Sequence, residues 1–149
     1  MRLGEFDYFL TMAKLVSLRG TCARRQVGCI LVDKDRHILA TGYNGVPKGV
    51  RHCIDVPCPG LKHAGDPTKL DECEAIHAEQ NAILQCKDVR EIFYCFVTVS
   101  PCTSCVKLLQ NTNCKSIIFS EEYKDTNARR LWKGGWVANG PIKHVFAGI

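Results

Sequence analysis

His77-Ala78-Glu79-Gln80-Asn81-Ala82-Ile83, followed by Pro101-Cys102-Thr103-Ser104-Cys105, is the stretch on which the architecture of this chain turns. It supplies one imidazole, one carboxylate and two thiols. Three of these groups, His77, Cys102 and Cys105, make the ligand set of a catalytic zinc ion, which keeps its fourth tetrahedral position for water. Glu79, two residues past the histidine, is then free to carry protons instead of binding metal. A structural zinc clip needs a fourth ligand, and a redox Cys-x-x-Cys pair has no use for His77. Together the two segments point to hydrolysis at a metal.

Working outward, Ala75 to Cys86 has helical periodicity, which places His77 and Glu79 in the first turn of a helix. Phe93 to Val99 reads as a strand, and Cys102 opens a second helix running to about Gln110. Both ligand segments therefore fall at helix N-termini, whose partial positive charge favours thiolates. Beyond them, Lys115 to Phe119 reads as a strand, Thr126 to Lys133 as a helix and Lys143 to Phe146 as a short last strand.

Upstream, Phe6, Phe9, Leu10, Ala13 and Val16 recur at helical spacing, predicting a helix over 5–18. Gln26 to Val32 reads as a buried strand and Ile38 to Tyr43 as its hairpin partner, with the turn at 33–36. From Asn44 to about Leu70 the pattern dissolves among glycines and prolines, and a loop of that length is functional or disordered. His52, Cys53, Cys58 and His63 inside it argue for order imposed by a metal. The fold class this order predicts is α/β, a single three-layer α/β/α domain over 1–149 with a central mixed five-stranded sheet. The crossovers after residue 75 are expected to be parallel and right-handed.

Composition narrows the class of partner. With 149 residues, 46% hydrophobic and 23% charged, the chain has the make-up of a soluble globular protein. Its longest apolar-like run, Ile92 to Val99, falls far short of the roughly 20 residues that span a bilayer. Glu5 and Asp7 interrupt any N-terminal apolar segment, so a cytoplasmic location without a signal peptide is expected. Of the ten cysteines, Cys29, Cys86 and Cys95 lie in apolar runs and read as core residues. A net charge of +5 favours an anionic partner. The basic residues are scattered except at Arg24-Arg25 and Arg129-Arg130, which fits a phosphate-bearing small molecule at least as well as a polymer.

Four segments carry a family resemblance: Gln26-Val27-Gly28, Gly42-Tyr43-Asn44-Gly45-Val46-Pro47, the His77 to Ile83 segment, and Thr98 to Cys105. Together they resemble the deoxycytidylate (dCMP) deaminases of the cytidine deaminase-like superfamily, from about residue 5 to 146. The resemblance implies zinc-dependent hydrolysis of dCMP to dUMP and ammonia, supplying dUMP for thymidylate synthesis. It implies that Glu79 is the proton carrier, that Asn44 meets the sugar 3′-hydroxyl and that the Ala78 N–H meets the pyrimidine O2. It gives the 5′-phosphate to Arg24 or Arg25 and to Tyr123. Some members hold a second, structural zinc, and Cys22, Cys53 and Cys73 match three of its ligand positions. The fourth could be Cys58 or His63, and spacing does not choose.

The resemblance also implies a homo-oligomer, a hexamer in many relatives, activated by dCTP and inhibited by dTTP. The segment from Cys86 to Ile92 is shorter than the family's usual connection, which puts that allostery in question. Alternatives are a modified dCMP, dCTP, or a base flipped from a nucleic acid strand. The last would use Trp132 and Trp136, near Arg129, Arg130 and Lys133, as a stacking surface. No nucleic acid and no membrane partner is expected.

Overall fold

The computed structural model describes residues 2–59 and 73–142. Helix α1 (Glu5–Ser17) leads into strands β1 (Gly28–Val32) and β2 (Ile38–Tyr43). Helix α2 (Ala78–Gln85) and a 3₁₀ turn at Val89–Glu91 precede β3 (Tyr94–Val99), followed by α3 (Thr103–Gln110), β4 (Ser116–Glu121), α4 (Thr126–Leu131) and β5 (Gly135–Ala138). The five strands form one sheet in the order β2-β1-β3-β4-β5. β1 runs antiparallel to both its neighbours, whereas β3, β4 and β5 are parallel. The sheet is mixed, as the sequence predicts.

The fifth strand is not the expected one. Gly135–Ala138 pairs with Ser116–Phe119, while the expected strand over 143–146 lies outside the described residues. The α2 helix also starts three residues later than read, at Ala78 instead of Ala75: His77 is its N-cap, in extended conformation, and Glu79 falls in the first turn.

Strand periodicity sorts the core onto two faces. Ile30, Val32, Phe96 and Ile118 point to one side, where α1 covers them with Phe9, Leu10 and Ala13. The Phe96 ring lies 4.8 Å from that of Phe9 and 5.7 Å from that of Phe6. Cys29, Leu31, Cys95, Val97, Ile117 and Phe119 point the other way, under Ala78 and Ala82 of α2, Val106 and Leu109 of α3 and Ala128 of α4. Each fully buried aromatic or aliphatic side chain contributes roughly 1.5–3 kcal/mol of transfer free energy. This is the α/β/α layering. No helix among the described residues is long and apolar enough to cross a membrane.

Two glycines set the thickness of this sandwich. A Cβ on Gly28 would lie 1.9 Å from the Ala13 carbonyl oxygen, so α1 rests directly on the start of β1. One on Gly42 would lie 2.3 Å from the Ala78 carbonyl oxygen and 2.4 Å from the Ala82 nitrogen, so α2 rests directly on β2. Only the absence of a side chain lets the N-terminus of α2 come this close to the sheet. That contact carries His77 and Glu79 into place.

The strand directions bring one edge of the sheet together. The C-terminal ends of β2, β3 and β4 and the N-terminal end of β1 share it, through the pairs Gly28↔Tyr43, Cys29↔Val97 and Val99↔Glu121. Crevices at the C-terminal ends of parallel strands are where open α/β sheets bind ligands.

Candidate active site

At that edge the N-termini of α2 and α3 face each other. The Cys102 and Cys105 sulfurs are 3.8 Å apart, and each lies 3.4 Å from Nδ1 of His77. Among the described residues, this is the group of three or more metal-ligating side chains whose donor atoms all lie within 4.8 Å of one another. Tetrahedral coordination with zinc–sulfur bonds near 2.3 Å and zinc–nitrogen bonds near 2.0 Å puts two sulfurs about 3.8 Å apart, and sulfur and nitrogen about 3.5 Å apart. The donor set and its spacings fit zinc.

Local hydrogen bonds hold the ligands. The His77 N–H donates to the Gln80 side-chain oxygen (3.0 Å), and the Asn81 N–H to the His77 carbonyl (2.9 Å). The Asn81 side-chain amide donates to the Tyr43 carbonyl at 2.8 Å, tying α2 to the end of β2. On the other side, Asp125 accepts from the Thr103 N–H at 3.0 Å and from the Thr103 hydroxyl, so the first residue of α3 is pinned to the cap of α4. The Ser104 hydroxyl lies 3.1 Å from the Cys102 sulfur.

The electrostatics follow from these contacts. The Cys102 thiol is pushed down to about 3, chiefly by the hydrogen bond from Cys105, with His77 and Ser104 adding to it. The same bond, reinforced by burial, pushes Cys105 well up. His77 is raised, mainly through its hydrogen bond to Cys102. Glu79 is buried, and loss of solvation lifts its carboxyl to about 7, with the charge of Cys102 adding to the rise. A carboxyl poised near neutrality can both take and return a proton.

These groups floor a cavity of about 200 Å³. It is smaller than the roughly 300–1,000 Å³ of drug-sized sites, and suits a single ring with its substituents at the mouth. His77, Ala78, Glu79 and Cys102 line it, together with Asn44, Arg24, Arg25 and Tyr123, so the candidate residues read from sequence converge here. Asn44 is already engaged: its side-chain oxygen accepts from the Val27 N–H at 2.8 Å and its nitrogen donates to the Arg25 carbonyl at 2.6 Å. It fixes the arginine loop, a role that its place in a glycine-flanked turn does not reveal.

Cys22 and Cys73 also line the cavity. Cys73 is hydrogen-bonded to Cys58, whose sulfur is 3.5 Å from that of Cys53. His63 lies outside the described residues. Cys29 and Cys95 are fully buried core thiols as read, and Cys86 is half-buried against the same core. Of the two tryptophans, Trp132 is buried and donates to the Gly135 carbonyl, while Trp136 packs edge-on against Phe119 with Arg129 over its ring. Trp132 thus offers no free face to a base.

Sequence reading missed Asp125, Ser100 and Ser104. Asp125 opens α4 as a side-chain N-cap, a signal that was legible; its reach to Thr103 was not. Ser100 lines the cavity and accepts from the Tyr123 N–H at 2.7 Å, holding Tyr123 at the mouth.

A sheet edge with three convergent metal donors and a buried carboxylate beside them defines a mononuclear metal site of the hydrolytic type. The chain belongs to the family described as the cytidine and deoxycytidylate deaminase zinc-binding region, which it matches over residues 5–121. It is 37% identical over 122 residues to the deoxycytidylate deaminase of Schizosaccharomyces pombe, covering 78% of this chain and 37% of that protein. To the deoxycytidylate deaminase of Mycobacterium phage D29 it is 34% identical over 125 residues, 78% of this chain and 94% of that one. The crystal structure of the cyanophage S-TIM5 dCMP deaminase in complex with dCMP and dUMP superimposes with a TM-score of 0.71 at 28% identity, over 91% of this chain and 97% of that one. The chain spans about two fifths of the length of the two yeast enzymes it matches, 37% and 40%.

Proposed function

We propose that the chain is a zinc-dependent deoxycytidylate deaminase, converting dCMP to dUMP and ammonia. The observation that carries this reading is the joining of the His77–Cys102–Cys105 donors and buried Glu79 to a one-ring cavity with Arg24 and Arg25 in its wall. When bound, zinc supplies a water made acidic enough to attack at neutral pH. Glu79 takes one proton from the attacking water and passes it to the ring nitrogen. It then takes the second from the same oxygen as it becomes the carbonyl and passes it to the amine, which leaves as ammonia. The Ala78 N–H, at the start of α2, donates to the pyrimidine O2. Asn44 keeps one amide hydrogen beyond its two backbone bonds, and offers it to the sugar 3′-hydroxyl. Arg24, Arg25 and Tyr123 receive the 5′-phosphate.

The test compares kcat/KM for dCMP and deoxycytidine. The nucleoside should react poorly, because the charged donors built for the phosphate are then left without their partner. Equal values for the two would overturn the arginine assignment. Including dCTP, a 5-methylated dCMP and a short oligonucleotide in the same series separates the neighbouring substrates.

A second, structural zinc held by Cys22, Cys53, Cys58 and Cys73 belongs to the same proposal. Its support is the 3.5 Å approach of Cys53 and Cys58, the hydrogen bond that Cys73 donates to Cys58 and the electrostatic coupling of Cys73 to Cys22. Such a site would order the long segment after β2, which has too little apolar periodicity to order itself. Metal analysis should find about two zincs per chain, and about one in a Cys22→Ser/Cys53→Ser variant. A single zinc in the fully active unaltered protein would remove the second site. The reading extends to a homo-oligomer, a hexamer, regulated by dCTP and dTTP, in a reducing cytoplasm where the ten cysteines stay out of disulfides. Light scattering with and without each nucleotide tests the assembly.

A further inference from the structure

We propose that Glu121 sets the number of phosphates the site accepts, as a charged gate beside Arg25; the proposal rests on the deoxynucleotide reading above. Arg25 lines the cavity, and its guanidinium donates from Nη2 to Oε1 of Glu121 at 3.2 Å. Glu121 itself stands outside the cavity lining. The two side chains come from segments joined to strands on either side of β3. Arg25 sits in the loop before β1, its carbonyl held by Asn44 at 2.6 Å. Glu121 ends β4, paired in register with Val99, and its carbonyl accepts from the Ser100 N–H at 2.9 Å. Val99 and Ser100 are both cavity wall, so each end of the bridge is anchored to the site by main-chain bonds.

The bridge is poorly suited to be a stability device. Its side chains are 47% and 63% exposed and meet through one contact, the kind of surface pair that adds little to folding. It is better suited to recognition. A guanidinium has five N–H donors, and one contact to Glu121 leaves the others for a phosphate. A monophosphate seated on Arg25 shares that cation with Glu121. A second phosphate on the same chain would extend outward, toward the carboxylate. Two anions at that spacing in a half-solvated mouth repel one another, enough to lower affinity about tenfold, and salt screens the effect. Glu121 thus discriminates by repulsion, while Arg24 and Arg25 attract mono- and diphosphate alike.

The experiment measures inhibition constants of deoxyuridine, dUMP and dUDP against dCMP turnover, for the intact zinc-loaded enzyme and for Glu121→Gln and Glu121→Asp. The intact enzyme should prefer dUMP over dUDP, and added salt should narrow that preference. E121Q should lose about tenfold of it, chiefly through tighter dUDP binding. E121D keeps the charge while shortening the reach to Arg25, and should retain the preference. An unchanged dUMP-to-dUDP ratio in E121Q, with dUMP still outbinding deoxyuridine, overturns the gate and leaves the phosphate reading intact. Loss of the preference in E121D as well overturns it in favour of the Arg25 contact. If deoxyuridine inhibits the intact enzyme as well as dUMP does, the phosphate reading itself fails and takes the gate with it.

Discussion

Glu79 carries two opposed demands, because a buried carboxylate is costly to charge and a proton carrier must be able to charge. Its carboxyl is raised by burial from 4.5 to about 7. Below pH 4.5 it is neutral in both folded and unfolded chains and nothing is lost. Between 4.5 and about 7 the folded chain holds the proton longer, so stability falls as pH rises, and above about 7 the loss is complete. The total is on the order of 3 kcal/mol. Metal-free Glu79→Gln protein should therefore melt at a higher temperature than its metal-free parent at pH 8, with the gap closing near pH 4. Parallel melting curves across that range would refute the buried-charge account. In the zinc-loaded enzyme the same substitution should lower kcat at least about 10²-fold, while zinc content stays unchanged. Near-normal turnover would refute Glu79 as the proton carrier. The ligands His77, Cys102 and Cys105 were legible because their chemistry is encoded in local spacing. The backbone-pinning role of Asn44 was not, since its partners Arg25 and Val27 lie in another loop.

The elements that carry the site depend on their caps more than on their length. Helix α4 is six residues long, below what an isolated helix can sustain, and Asp125 closes its first turn by accepting from the Ala128 N–H at 3.0 Å. Burial works to raise the Asp125 carboxyl, but the bonds from Ala128 and Thr103 outweigh it and hold it low. A depressed carboxyl contributes stability at pH values above its unfolded pKa, and that contribution is lost as pH falls through the folded value. Asp125→Ala should cost about 1–2 kcal/mol at pH 7, with a smaller difference in strong acid. Because Asp125 also holds Thr103, the variant should bind zinc more weakly. Unaltered zinc affinity in a destabilised Asp125→Ala protein would separate the cap from the metal site. Long periodic elements such as α1 and β2 were placed from sequence to within a residue or so. β5 was missed because four residues, Gly135 to Ala138, are too few to show a period of two, and glycine gives them no β-former at the start.

At the scale of the whole molecule, the metal links parts of the chain that contact one another little. Helices α2 and α3 approach mainly at their N-termini, where His77 meets Cys102 and Cys105. An ion bound there at 100-fold above its dissociation constant adds about 2.7 kcal/mol, or about 5–10 °C in melting temperature for a chain of this size. Removing zinc with a chelator at neutral pH should lower the melting temperature by about that much, and restoring zinc should recover it. A melting temperature indifferent to zinc would mean that the site is fully formed without its ion. The layered architecture was legible because apolar alternation and helical periodicity are properties of each segment. Convergence of the Arg24-Arg25 loop, the Asn44 turn and the end of β3 on one cavity was not. It follows from strand order, which no single segment encodes.

The two glycines facing opposite layers leave a mark that an assay of the chemistry would misread. Gly28 and Gly42 lie on neighbouring rungs of the same hairpin, one against α1 and the other against α2. Neither lines the cavity, and neither has a side chain to offer a nucleotide. In a saturation library selected for activity, both positions should come out as empty as His77 or Glu79, alanine included. Scored for loss of function alone, such a map would list them among the working groups of the enzyme. Scored for abundance of folded protein as well, the two glycines would drop out of that list, and Glu79 would stay.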